Sequence, residues 1–184
     1  MKRIEWKNIF LAVMIGSLVG TGVIYATPHL SAIGEKAPIS TLTAKLYNAN
    51  GQNIGAVTLS NTDTGVKLQV SASHLSPGKH GIHIHQKAFT DFDFSTAGEH
   101  FNPYGKNHGL KNPEGPHLGD MPNLEVNQDG TANAELLIEG ANLIKGDKNS
   151  LLGKSVIIHA KEDDQITDPA GNSGDRVAGA NIPE

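Results

Sequence analysis

No cysteine occurs among the 184 residues. That rules out a disulfide framework and a lipidated cysteine, so any long loop that is ordered must be held by other means. Bound metal is the evident candidate, because metal binding and loop ordering are the same free energy. A second absence is a basic cluster. The formal charge is -4 and Lys and Arg are scattered, so the electrostatic footprint of a nucleic-acid binder is missing. A third is the helical apolar period: beyond the first 26 residues no stretch reads as an amphipathic helix.

What the chain does have is an abrupt change of character near its start. Lys2, Arg3 and Lys7 precede an uncharged, mostly apolar run from Ile9 to Ala26. Its 18 residues fall between a signal-peptide core and a full membrane span. Residues 1–26 are therefore expected to be a hydrophobic helix, either a signal peptide or an N-terminal membrane anchor. Only Ile24 and Ala26 approximate a small-residue cleavage site, which favours the anchor. The positive residues keep the N-terminus inside and send the body out of the cytoplasm, to the periplasm or the cell surface. Gly16 and Gly20 have helix-pairing spacing, although small residues are also ordinary in a signal. Residues 27–38 read as a linker, and 39–184 as one domain able to bury a sizeable core.

Within that domain apolar residues alternate with polar ones. Leu42, Ala44 and Leu46 lead into the hairpin signal Asn50-Gly51, and GAVTLS follows. Val66, Leu68 and Val70 alternate after the turn NTDTG. GIHIHQ, NLEVNQ, TANAELLIE after the turn at Asp129-Gly130, KSVIIHA, and a short run from Arg176 to Asn181 complete eight expected strands. Many short strands with regular turns mean an all-β sandwich or barrel.

The chemistry concentrates between His83 and Asp120. Five of the nine histidines lie there (His83, His85, His100, His108 and His117), and His159 ends the apolar run SVIIH. His83 and His85 are two apart on a strand, so they share a face and can grip one ion. His100, His108, His117 and Asp120 follow as His-x7-His-x8-His-x2-Asp in a loop rich in Gly, Pro and Asn. Three imidazoles and one carboxylate are a tetrahedral set for zinc. His83, His85 and His159, with His100 near both groups, form a mostly imidazole set that suits copper. His29 and His74 read as solvated surface residues.

These residues carry a family resemblance. HGIHIHQ, STAGEHFNP, HGLKNPEGPHLGD with MPNLEV, VIIHAKEDD and GNSGDR resemble the copper–zinc superoxide dismutases from about His80 to Arg176. Weaker strand patterns extend the match back to about Pro38. The resemblance implies an eight-stranded Greek-key β-sandwich with long metal-binding loops. It implies copper on His83, His85, His100 and His159, and zinc on His100, His108, His117 and Asp120, with His100 bridging as an imidazolate. Asp163 would join His83 to His108 from behind and fix their rings. His80 resembles a supporting histidine that bonds backbone. Arg176 matches an arginine that guides the substrate anion, since a guanidinium beside copper attracts and orients superoxide. The implied reaction is dismutation of superoxide to dioxygen and hydrogen peroxide. Copper would cycle between two oxidation states, zinc would hold the loop, and His100 would carry a proton toward the product.

Two departures bear on that reading. The family's usual disulfide ties the loop before the bridging histidine to the strand after the arginine, and the matching positions here are Phe94 and Gly179. Burial of Phe94 would supply about 1.5–3 kcal/mol, against about 2–5 kcal/mol for a lost disulfide, so the tether would be replaced in part. The segment from His159 to Arg176 is also shorter than in animal members, and Asp175 beside Arg176 would weaken its pull on an anion. Steering has to be local. Of 15 basic and 19 acidic side chains, three and one fall in residues 1–34, which leaves the body 12 and 18, a net of -6. Attraction would come from the metals and Arg176, with Lys161 and Lys87 as helpers. The alternative is a non-catalytic protein that buffers or delivers copper on the same scaffold. A purely structural sandwich leaves the histidines unexplained. The expected partners are superoxide, the membrane through residues 9–26, and a second copy in a homodimer or none.

Overall fold

The computed structural model describes residues 41–184. The hydrophobic helix expected over 1–26 and the linker over 27–38 lie outside the described residues. Nine strands form: β1 (Thr41–Asn48), β2 (Asn53–Asn61), β3 (Gly65–Ala72), β4 (Gly78–His80), β5 (Ile82–His85), β6 (Leu124–Val126), β7 (Ala132–Glu139), β8 (Ser155–His159) and β9 (Arg176–Asn181). A single 3-10 turn, Phe94–Ala97, is the only helical element among the described residues. The strand expected through GIHIHQ forms as β5, and Gly81 separates it from β4, a short strand in the stretch SHLSPGKHG that reads in sequence as a connection. At Gly81 the backbone N–H donates to Lys161 and the carbonyl accepts from His159, so β4 leaves to pair with β6 while β5 pairs with β8. The other eight strands are those expected, and β4 is an addition to them.

All pairings between these strands are antiparallel. Seven strands run in the order β5-β8-β9-β1-β2-β3-β7, and β4-β6 forms a two-stranded sheet. The neighbours β9-β1, β3-β7 and β5-β8 are far apart in sequence, as Greek-key connections require. Alternation does what the sequence pattern dictates: Leu46, Val57, Leu59, Val66, Leu68, Ile82, Ile84, Ile138, Val156 and Ile158 point into one core and are essentially fully buried. In β8 every residue is buried. Val156 and Ile158 face the main core, whereas Ile157 faces a second apolar cluster with Phe89, Phe94 and Ala97.

The long connection from β5 to β6 does not drift into solvent. It is stitched back to β5 by Phe101 N–H to Ile84 O at 2.8 Å, Ile84 N–H to Gly119 O at 2.9 Å and Gly119 N–H to Phe101 O at 2.9 Å. Those bonds lay His100 beside His85 and Asp120 beside His83. Backbone pairing thus sets the loop's register before any ligand is considered.

Leu68 pairs with Leu59 and Leu136 across two ladders and has no exposed surface. Leu68→Ala is expected to cost roughly 2–5 kcal/mol of unfolding free energy, read by urea denaturation. A loss well under 1 kcal/mol would mean that β3 does not carry the core.

Candidate metal centre

Two strands and one loop deliver the histidines. His83 and His85 come from β5, His159 from the end of β8, and His100, His108 and His117 from the stitched loop. All six are buried. Buried imidazole nitrogens need partners, so where each ring nitrogen goes can be followed atom by atom. His85 Nδ1 donates to Gly98 O at 2.9 Å and His159 Nδ1 donates to Gly174 O at 3.1 Å. In neutral rings that leaves two Nε2 lone pairs, and they face each other at 3.4 Å with no proton to share. His83 donates from Nε2 to Asp163 Oδ2 at 2.8 Å, and its Nδ1 is buried without a partner. His100 Nε2 is likewise buried and unpartnered. These four residues offer ligand atoms within 4.8 Å of one another. Four converging imidazole lone pairs fit copper.

The second set centres on one carboxylate oxygen. Asp120 Oδ1 lies 3.0 Å from His100 Nδ1, 3.1 Å from His108 Nδ1 and 3.3 Å from His117 Nδ1. An ion with four bonds of about 2.0–2.1 Å spaces its ligand atoms about 3.3 Å apart, so these separations fit the edges of a coordination tetrahedron. The other oxygen, Oδ2, is held by the N–H groups of Gly109 at 2.8 Å and His117 at 3.0 Å. His83 also comes within 4.8 Å of His100, His108 and Asp120. Its free Nδ1 already belongs to the four-imidazole set, however, while His117 Nδ1 lies 3.3 Å from Asp120 Oδ1 and serves no other set. His117 is therefore the better fourth member.

Asp163 stands behind both sets. Oδ2 accepts from His83, and Oδ1 accepts from His108 Nε2 at 3.0 Å and from Gln165 N–H at 2.6 Å. Asn123 clamps the Asp163 backbone from both sides, accepting its N–H and donating to its carbonyl, each at 2.8 Å. Gly171 has to be glycine: a Cβ there would collide with Asp163 Oδ1 and lie 2.9 Å from His108 Nε2. Asn123 and Gly171 escape sequence reasoning because neither offers a periodic or ligand-type signal. His80 turns both ring nitrogens to backbone carbonyls, those of His159 and Ser76.

Residues 53–182 match the family described as copper/zinc superoxide dismutase (SODC). The chain belongs to the copper/zinc superoxide dismutase family. It is 44% identical over 140 residues to superoxide dismutase [Cu-Zn] 2 of Aquifex aeolicus, covering 73% of this chain and 82% of that one. The crystal structure of a SOD-like protein from Bacillus subtilis superposes with a TM-score of 0.73 at 38% identity, covering 76% of this chain and 97% of that one. An extracellular superoxide dismutase [Cu-Zn] of Haemonchus contortus is 31% identical over 176 residues, covering 90% of this chain and 95% of that one.

In this family member Arg176 is anchored without a disulfide. Its Nη1 donates to Phe94 O at 2.6 Å and its Nη2 to Gly98 O at 2.7 Å. Gly98 O is also the acceptor for His85, so one carbonyl ties the guanidinium to the four-imidazole set. Arg176 opens onto a cleft of about 510 Å³ lined by Ala49, Phe92, Asp93, Phe94, Ser95, Gly174 and Asp175. The carboxylates whose charge bears on the guanidinium are Glu99 and Asp93. Asp175, adjacent in the chain, is exposed and lines the same cleft.

Burial sorts the titrations. Desolvation pushes His83 down to about 3 and His159 down to about 4, and it lowers His85 and His100 as well. For His108 burial also acts downward, but the bonds to Asp120 and Asp163 outweigh it and lift the ring to about 9. The same bonds hold both carboxylates far below the usual range, against the opposing effect of burial.

In metal-free protein these shifts act in opposite directions. His83 and His159 titrate lower when folded than at their ordinary 6.5, so their stabilisation is complete above pH 6.5 and is lost as pH falls toward 4 and 3. His108 titrates higher when folded, so its stabilisation is complete below 6.5 and is lost as pH rises through about 9. The melting temperature of metal-free protein is expected to peak near neutrality and decline on both sides. A flat profile from pH 5 to 9 would contradict these assignments.

Proposed function

We propose that the chain dismutes superoxide, turning two superoxide anions and two protons into one dioxygen and one hydrogen peroxide. The observation that carries the reading is the shared imidazole of His100. Its Nδ1 faces the Asp120 set while its Nε2 is free toward the His83 set. His83, His85, His100 and His159 would hold copper, and His100, His108, His117 and Asp120 would hold zinc. Copper supplies one-electron redox chemistry there, and zinc supplies charge and order without redox change.

The protein's own groups do the rest. Arg176 uses part of its five-donor fork on the Phe94 and Gly98 carbonyls, which leaves N–H groups for a small anion. That local cation matters because residues 35–184 carry a net of -6. His100 Nε2 is the buried atom at which a proton can be taken up and passed to the peroxide product. Asp163 fixes the rings of His83 and His108. Both ligand sets lie in one chain, so a monomer or a homodimer serves equally.

The domain over 39–184 would work outside the cytoplasm, in the periplasm or at the cell surface. Residues 1–26 would carry it there as a signal or an anchor in the cytoplasmic membrane, followed by the linker at 27–38. The basic and then apolar N-terminus supports this, as does the likeness to an extracellular relative.

A copper store on the same scaffold needs no anion guide, so Arg176 separates the two readings. Arg176→Ala is expected to lower the second-order rate about tenfold at low salt with metal content unchanged. The loss should shrink as salt rises, since charge is screened over roughly 8 Å at physiological ionic strength. Arg176→Lys should recover part of it, and Glu99→Gln should raise the low-salt rate modestly. Copper- and zinc-loaded protein no more active than free copper would overturn the enzyme in favour of the store. Asp163→Asn should weaken metal retention by about 10–100-fold, measured by competition with a chelator. Unchanged retention of both metals would remove Asp163 from its proposed role.

A further inference from the structure

The loop between β5 and His100 meets β9 at a bare spot. Gly179 lies inside β9, opposite Ile157 of β8 and Tyr47 of β1. A Cβ at Gly179 would fall 2.8 Å from Phe89 Cε1 and 2.9 Å from Phe94 Cδ1 and Cε1, so both rings rest directly on its α-carbon. The two rings pack edge to face at 4.8 Å, and Phe94 is only 3% exposed. Phe94 is also the first residue of the 3-10 turn, and its carbonyl accepts the 2.6 Å bond from Arg176. The same residue therefore carries the apolar anchor and the acceptor that aims the guanidinium.

Other contacts make this a built seat. Asn181, two residues beyond Gly179 on β9, grips Phe89 on both sides: Phe89 N–H donates to Asn181 Oδ1, and Asn181 Nδ2 donates to Phe89 O, each at 2.9 Å. At the loop's neck, Lys87 N–H bonds Ala97 O and Gln86 N–H bonds Glu99 O. At its far end Phe92 packs on Tyr47 and over Gly51.

We propose that Phe94 is a positioning residue for Arg176, and that its ring on the α-carbon of Gly179 does non-covalently what a cross-link between these two positions would do. This rests on Arg176 guiding superoxide. When the ring is removed, or when a methyl group at Gly179 lifts it, the Phe94 carbonyl loses its fixed place and the guanidinium loses one of its two main anchors. Gly98, whose carbonyl holds His85, is kept in place by the bonds at the loop's neck on either side of it, Lys87 N–H to Ala97 O and Gln86 N–H to Glu99 O, so the metal sets stay intact.

The test combines rate, coupling and amide exchange in the copper- and zinc-loaded chain and its metal-free form. Phe94→Ala is expected to lower the second-order rate about threefold or more, by loss of electrostatic guidance, with metal content unchanged. Combined with Arg176→Ala it should add little to the loss from Arg176→Ala alone. Phe94→Leu should retain most of the rate. In metal-free Phe94→Ala the amides of residues 93–96 should exchange faster, while those of β2 and β3 do not. Should Phe94→Ala fail to fold, Gly179→Ala is judged by the same criteria. An additive double variant, or no loss of rate in either variant, overturns the proposal while leaving the guidance reading intact. If Arg176→Ala itself keeps the full rate, the guidance reading falls and this proposal with it.

Discussion

The site depends on four of its six imidazoles having one nitrogen occupied by the protein outside the ligand sets. Gly98 O takes His85 Nδ1, Gly174 O takes His159 Nδ1, and Asp163 takes one nitrogen each of His83 and His108. Once one nitrogen is fixed as donor, the tautomer and the ring angle follow, and the other lone pair can point only inward. A neutral ring with no acceptor would turn until it found one. The selectivity of the pocket thus begins with backbone carbonyls and one aspartate, and those are held by strand pairing.

Much of this was legible in the sequence. His83 and His85 share a face because strand side chains alternate, and that period showed in GIHIHQ. His100, His108, His117 and Asp120 showed because three imidazoles and a carboxylate within one polar loop have few other uses. Less legible was anything that needs two distant backbone segments to meet. The break at Gly81 follows from bonds to His159 and Lys161, about eighty residues away. Asn123 matters through the backbone of Asp163, and Gly171 matters through the space it leaves beside Asp163 and His108. Arg176 could be named from its motif, but its acceptors could not, since carbonyls carry no residue-type signal. Nor could chain adjacency bring in Glu99 and Asp93, which reach it from a loop about eighty residues earlier.

The absence of cysteine takes a definite physical form. A cross-link restrains the unfolded chain as well as the folded one, whereas an apolar seat acts only once folding has formed it. The loop from Gln86 to Gly98 is therefore ordered by the strands beneath it and holds no independent constraint. Its order does not depend on the redox state of its surroundings.

Asp163 has one further consequence. A single carboxylate holds a ring from each set, and His100 belongs to both, so the two sets cannot relax independently. Linkage then requires reciprocity: whatever factor an ion in one pocket gains from a filled neighbour, the neighbour gains equally. Where that factor exceeds one, molecules with a single ion are depleted in favour of empty and doubly filled ones. The shared carboxylate and imidazole would thus set the distribution of filling states across a population of molecules, beyond the affinity of either pocket.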